Sequence, residues 1–164
     1  MRHGKAEDYS HSKDDKHRSL IDIGREDAHL VGRFLHERNI IPQIILTSDA
    51  TRADQTARCI AEEINFPTNK IIHEPFIYNG YTTEIMIEYI NNNVDNTTDC
   101  MLIVGHNPDI AYAAGNMSNT PISHFPTAAC VIFDFNADKW TDIHSREGEI
   151  RLSVTPKSLK FNRK

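Results

Sequence analysis

Three segments hold the residue types that could do chemistry together: Arg2-His3-Gly4, Ser48-Asp49-Ala50-Thr51-Arg52-Ala53-Asp54-Gln55-Thr56, and Val104-Gly105-His106-Asn107-Pro108. A neutral imidazole is a nucleophile or base near neutral pH, and a guanidinium offers a planar fork of donors to an oxyanion. The guanidinium of Arg52 could fork onto a phosphate. Singly, each segment is ordinary: a His beside an Arg is commonly a surface pair, and an Arg near a helix start is commonly solvated. Placement sets them apart. Arg52 opens a helix just after an apolar run, where free N–H groups and the positive dipole end face an anion. Gly105 allows close backbone approach beside His106, and Pro108 suits the start of a helix.

The elements that must bring these segments together follow from the apolar spacing. Asp22 can cap a helix in which Ala28, Val31, Phe34 and Leu35 share a face, ended by Asn39 and Pro42. Ile44-Ile45-Leu46 predicts a short buried strand. Ala53, Ala57, Ile60, Ala61 and Ile64 recur at helical spacing until Pro67, and Ile71-Ile72 predicts another short strand. Ile85, Met86, Tyr89 and Ile90 mark a helix closed by Asn91-Asn92-Asn93. Met101 to Val104 predicts a strand, Ile110, Ala113, Ala114 and Met117 a helix, and Cys130 to Phe135 a strand. Ile150, Leu152 and Val154 alternate in a half-exposed last strand. Strands separated by single helices predict an α/β fold, a three-layer α/β/α sandwich around a mostly parallel sheet. In such a sheet the site lies at the carboxyl ends of the strands, where Thr47-Ser48 and Gly105-His106 stand. Residues 5–19 are nearly all polar and are expected to form an exposed, mobile loop, and a basic tail runs from Lys157 to Lys164.

Composition excludes several function classes. The 164 residues fit one domain, 1–164, and 39% hydrophobic with 25% charged residues is ordinary for a globular protein. No apolar run reaches the ~18 residues of a membrane helix, and no charged-then-apolar leader opens the chain, so neither a membrane span nor a secretory signal is expected. A net charge of −5 argues against general nucleic-acid binding. Cys59, Cys100 and Cys130 are odd in number and far apart, which suits a reducing compartment, taken here as the cytoplasm. The remaining histidines carry no metal spacing: His29 and His36 are seven apart, His11 and His17 lie in the polar loop, and His73, His124 and His144 have no partner in sequence.

In this order, each at a strand end, the three segments resemble the motifs of the histidine phosphatase superfamily, the phosphoglycerate-mutase-like fold. Arg2-His3-Gly4 resembles the opening motif, Ser48 through Thr56 the segment of the second arginine, and Gly105-His106-Asn107 that of the second histidine. Arg18-Ser19-Leu20 followed by Gly24, and Phe125-Pro126-Thr127-Ala128-Ala129 before a strand, look like the compact bacterial branch. Arg52 and His106 are 54 positions apart, which leaves no room for a lid domain. The chain is therefore most similar to the SixA-type phosphohistidine phosphatases.

That resemblance implies a set of roles. His3 is the nucleophile that becomes phosphorylated, Arg2 and Arg52 hold the phosphoryl oxygens, and His106, protonated by its anionic guest, is a further donor. Arg18 would contact the phosphate or a protein substrate, and Gly4, Ser48 and Asn107 would line the substrate site. No metal or other cofactor is implied. The position where mutases carry an acidic proton donor aligns with Tyr78 or Asn79, and Glu74 falls before the site. Without a carboxylic acid the site suits a phosphohistidine on a protein, with small phosphate esters or non-catalytic binding of a phospho-ligand as alternatives. Lys5, Lys13, Lys16 and Arg18 are candidates for touching such a partner, and a monomer is expected. The family also has an apolar strand before Arg-His-Gly, so the natural chain is expected to extend upstream of Met1, since a sheet without that strand would have a gap.

Overall fold

The structure, a computed structural model, describes residues 1–10, 14–122 and 124–161. His11, Lys13 and the last three residues of the basic tail lie outside the described residues. Three parallel strands, β1 (Ile44–Thr47), β2 (Ile72–His73) and β3 (Met101–Val104), form a sheet in the order β2-β1-β3. Successive side chains of a strand point to opposite faces. Ile45, Leu102 and Val104 pack into one core with α1 (Asp22–Glu37) and α2 (Thr51–Glu63). Ile44, Leu46, Met101 and Ile103 pack into another with α4 (Thr83–Asn93) and α5 (Asp109–Met117). Apolar residues on both faces explain why these strands read as continuous apolar runs. The result is the expected three-layer α/β/α arrangement. An antiparallel pair, β4 (Cys130–Asp134) with β5 (Glu149–Val154), stands beside the parallel strands.

Met1 to His3 joins the two sheets. Arg2 bridges in parallel to Gly105, the Met1 amino group donates to the Ile103 carbonyl at 2.7 Å, and the His3 N–H donates to the Gly105 carbonyl at 3.1 Å. On the other side the Arg2 N–H donates to the Ala129 carbonyl and the Ala128 N–H to the His3 carbonyl, both at 3.0 Å. An apolar cavity of about 530 Å³ lies between β3 and β4, lined by Met1, Leu102, Ile103, Val131 and Ile132 among others.

Several local expectations shift. Asp22 is the first residue of α1 and not its cap; Ile21 holds the cap position, and its carbonyl accepts from the Gly24 and Arg25 N–H groups. The short helix α3 (Phe76–Asn79) was not legible in the periodicity. Part of the basic tail is a helix, α6 (Pro156–Phe161), because Leu159 is buried and Lys160 pairs with Asp27 at 2.6 Å. The polar loop is tied at its base: Ala6 bridges to Leu20, the Glu7 N–H donates to the Ser19 carbonyl, and the Ser19 N–H donates to the Glu7 carboxylate. A 3-10 turn at Asp15–His17 then lies against α2.

Gly4 and Gly24 let the first turn of α1 pass directly over the backbone after His3. A Cβ on Gly24 would collide with the Lys5 carbonyl, and one on Gly4 would meet the Gly24 carbonyl at 2.5 Å. Gly115, near the end of α5, has nothing within 4 Å of a would-be Cβ. Ala is better than Gly in an unhindered helix by ~1 kcal/mol. Gly115→Ala should therefore stabilise the protein by ~0.5–1 kcal/mol, whereas Gly24→Ala should destabilise it by ~1–3 kcal/mol. Urea unfolding midpoints check both signs; equal shifts in one direction would contradict the packing described.

Candidate active site

His3, just past the ladder with Gly105, is buried, 9% exposed, and its Nδ1 lies 2.7 Å from the Gly4 carbonyl. A carbonyl only accepts, so Nδ1 carries the proton and Nε2 keeps its lone pair. The Gly4 N–H donates to Thr56 Oγ1, which in turn donates to the Arg52 carbonyl. Thus α2 holds the loop after His3 and its own arginine through one hydroxyl. His106 follows β3, and its ring lies 5.0 Å from that of His3, centroid to centroid. His106 Nε2 is 2.8 Å from Ser48 Oγ, and the same oxygen accepts from the Ala50 N–H, which leaves its own proton for Nε2.

Both arginines are gripped at their ends. Arg2 Nη1 donates to the Phe125 carbonyl, which also accepts from Asn107 Nδ2. Arg52 Nη1 donates to the Asp15 carbonyl at 2.7 Å, and Nη2 to Asp15 Oδ2 at 3.0 Å. Arg2 Nε, Arg52 Nε and His106 Nδ1 remain buried without a hydrogen-bond partner among the described residues. Such groups cost free energy in a folded protein unless a ligand satisfies them. Arg18 donates to Asp15 Oδ1 and to the Glu7 carbonyl. The Tyr78 hydroxyl donates to Asp15 Oδ2, and the Tyr78 ring stands edge-on to His106 at 5.7 Å.

Electrostatics follow from this crowding. Burial above all, then Arg52, Arg2 and Arg18, push the His3 pKa down to about 4 against the bond from Gly4. Burial, then His3 and Arg52, push His106 down to about 3. Burial and cationic neighbours thus hold both imidazoles neutral at pH 7 when no anion is bound. Burial raises the Asp15 carboxyl, but bonds from Arg18, Arg52 and Tyr78 outweigh it and hold the group at about 2. Asp15 is therefore ionised and no proton donor at neutral pH.

The structure brings His3, His106, Arg2, Arg52 and Arg18 together. Gly4 and Ser48 stand there too, but their polar groups are spent on Thr56, His3, His106 and Ala50, so they position. Asn107 braces Phe125. Of the two candidate donor positions, Tyr78 reaches the site and Asn79 is exposed at the end of α3. Glu74 accepts from the Tyr89 hydroxyl. Lys16 pairs with Asp49 at 2.6 Å and Arg18 with Asp15 at 2.7 Å. Sequence reasoning missed Asp15, whose polar loop gives no periodicity, and the Phe125 carbonyl, a backbone group.

The sequence model of the histidine phosphatase superfamily (branch 1) matches residues 1–76, just under half the chain. The protein histidine phosphatase SixA, solved as a tungstate complex, superposes with a TM-score of 0.82 at 20% identity, covering 97% of this chain and 96% of that one. The fold is that of the histidine phosphatases. A mycobacterial glucosyl-3-phosphoglycerate phosphatase shares it more distantly, with a TM-score of 0.63 at 14% identity over 92% of this chain and 94% of that one. The mitochondrial serine/threonine-protein phosphatase Pgam5 of Drosophila grimshawi is 34% identical over 80 residues, 49% of this chain and 27% of that protein. An uncharacterised chloroplastic protein of Arabidopsis thaliana is 25% identical over 140 residues, 82% of this chain and 64% of that protein. The chain thus spans less than two thirds of the length of the curated relatives it matches.

The neutral histidines make stability depend on pH with a definite sign. The unfolded chain protonates its histidines near 6.5, but the fold does so only at about 4 for His3 and about 3 for His106. Above pH 6.5 neither state binds the protons; below it only the unfolded state does, so stability falls as pH falls toward 4. At ~1.4 kcal/mol per unit, the pair removes up to ~4 kcal/mol by pH 5. Urea unfolding at pH 7 and pH 5 measures the loss. His106→Gln should lose about half as much on acidification; an unchanged loss would show that His106 is not held neutral.

Proposed function

We propose that the protein is a metal-independent phosphatase that works through a phosphorylated His3 and acts on phosphohistidine carried by a protein. The observation that carries this reading is the set of buried, unpartnered nitrogens, Arg2 Nε, Arg52 Nε and His106 Nδ1, beside an imidazole whose free atom is Nε2. His3 Nε2 attacks phosphorus in line; the new N–P bond forms as the bond to the leaving nitrogen breaks. Arg2 and Arg52 take the equatorial oxygens, where negative charge is spread in the transition state. With the Ser48 hydroxyl donating to His106 Nε2, neutral His106 offers its Nδ1–H to a third oxygen. Water then cleaves the phosphoimidazole and restores His3.

The leaving group decides the substrate class. An alkoxide needs a proton from an acid in the site, whereas an imidazole already protonated at its other nitrogen departs neutral. Asp15 is held ionised at about 2, and Glu74 is engaged by Tyr89, so neither carboxyl supplies that proton. The similarity to SixA supports the same class. The Drosophila relative, a serine/threonine-protein phosphatase, gives the second reading, a phosphoserine or phosphothreonine protein, and small phosphate esters are the third. The three cysteines are free thiols, which supports a reducing compartment such as the cytoplasm, and no helix among the described residues is long and apolar enough to cross a membrane.

Turnover of a phosphohistidine protein, a phosphoserine peptide, p-nitrophenyl phosphate and a simple alkyl phosphate tests the reading. The phosphohistidine protein should show the highest kcat/KM and the alkyl phosphate the lowest, undiminished by EDTA. His3→Ala should cut turnover by ~10³-fold or more. Faster turnover of the phosphoserine peptide or the alkyl phosphate would replace the substrate class, and retained activity in His3→Ala would end the mechanism.

A further inference from the structure

We propose that Asp15 is a positioning residue of the phosphoryl site, holding Arg52 by its outer end so that its Nε edge stays free for the anion, while Arg18 braces the same carboxylate. This rests on the phosphatase reading above. Arg52 is only 5% exposed, so its guanidinium needs partners inside the protein. Asp15 supplies two, its backbone carbonyl to Nη1 and Oδ2 to Nη2, while Nε is left buried and unpartnered. A guanidinium is planar, so two bonds at one end fix the plane and leave the Nε edge aimed elsewhere. Arg18 reaches the other carboxylate oxygen through Nε at 2.9 Å and Nη2 at 2.7 Å. The Tyr78 hydroxyl shares Oδ2 at 3.1 Å. One carboxylate therefore joins two cations from separate segments to the phenol that stands edge-on to His106.

A carboxylate on two arginines could instead be a stand-in for phosphate that leaves when substrate arrives. Two contacts speak for a fixed clamp. Arg52 bonds the backbone carbonyl of Asp15 as well as its side chain, so displacing the carboxylate would not free the turn. Lys16, next in the same turn, is anchored to Asp49 at 2.6 Å, just ahead of α2. Arg2 is held in the same manner, its end on the Phe125 carbonyl and its Nε unpartnered.

Calorimetric binding of inorganic phosphate tests the clamp without relying on turnover. Asp15→Ala should weaken phosphate binding ~10- to 100-fold, the size of losing charge-assisted hydrogen bonds, with Asp15→Asn in between because it keeps an acceptor oxygen. Arg18→Ala should cost affinity in the wild-type background and little in Asp15→Ala, since Arg18 acts on the site through the Asp15 carboxylate that it braces; a merely loosened fold would give additive losses. If Asp15→Ala does not fold, the Asn variant and its Arg18→Ala combination carry the test. Unchanged or tighter phosphate binding by the Asp15 variants would overturn the proposal and make Asp15 a competing anion, leaving the phosphatase reading intact. No phosphate binding by the wild-type protein would instead remove the phosphatase reading, and this proposal with it.

Discussion

Met1 to His3 pair in parallel with Ile103 to Gly105, and this short ladder sets where both histidines stand. His3 leaves one strand end and His106 the next, so two adjacent carboxyl ends put their rings 5.0 Å apart. The rest of the site is built onto that edge. Gly4 must be small so that α1 can cross it at Gly24, and that crossing returns the chain after the 3-10 turn that touches Arg52. Thr56 links the loop after His3 to the arginine helix through one hydroxyl. A shift of one residue in the ladder would separate the histidine from its arginines and break all of these contacts together.

The price of this arrangement is electrostatic. Burial of the two imidazoles, with arginines beside them, favours an anionic guest and disfavours every proton, so the histidines are neutral and His3 Nε2 keeps its lone pair at pH 7. Polar atoms left unpartnered in a buried site are destabilising in the free protein. Three such atoms, Arg2 Nε, Arg52 Nε and His106 Nδ1, stand at one sheet edge, while apolar side chains dominate the two main cores, where the Tyr81 hydroxyl is the buried exception among the described residues.

Much of the frame was legible because its signals are local. Ile44 to Leu46 and Met101 to Val104 are apolar on consecutive positions since both faces are covered, and the motif residues abut their carboxyl ends. Arg2, His3, Arg52 and His106 stood out by type and by place. Other features depend on contacts that no local pattern encodes. Asp15 sits in a run of polar residues, and only the folded loop turns it onto Arg52. Phe125 contributes a carbonyl, which every residue has. Leu159 is a single apolar residue among lysines, too little to mark α6 before its burial is known. The low proton affinity of His106 was not legible for the same reason: it is set by burial and by groups from distant segments, not by its neighbours in sequence.

The account's central claim is that His3, through Nε2, carries the phosphoryl group. Rapid quenching in alkali after mixing with a phosphohistidine protein, followed by peptide mapping and ³¹P NMR of the labelled peptide, measures this directly. The geometry predicts one phosphate, on His3, at the nitrogen not bonded to the Gly4 carbonyl. Phosphate on His106, or at Nδ1 of His3, would contradict the account.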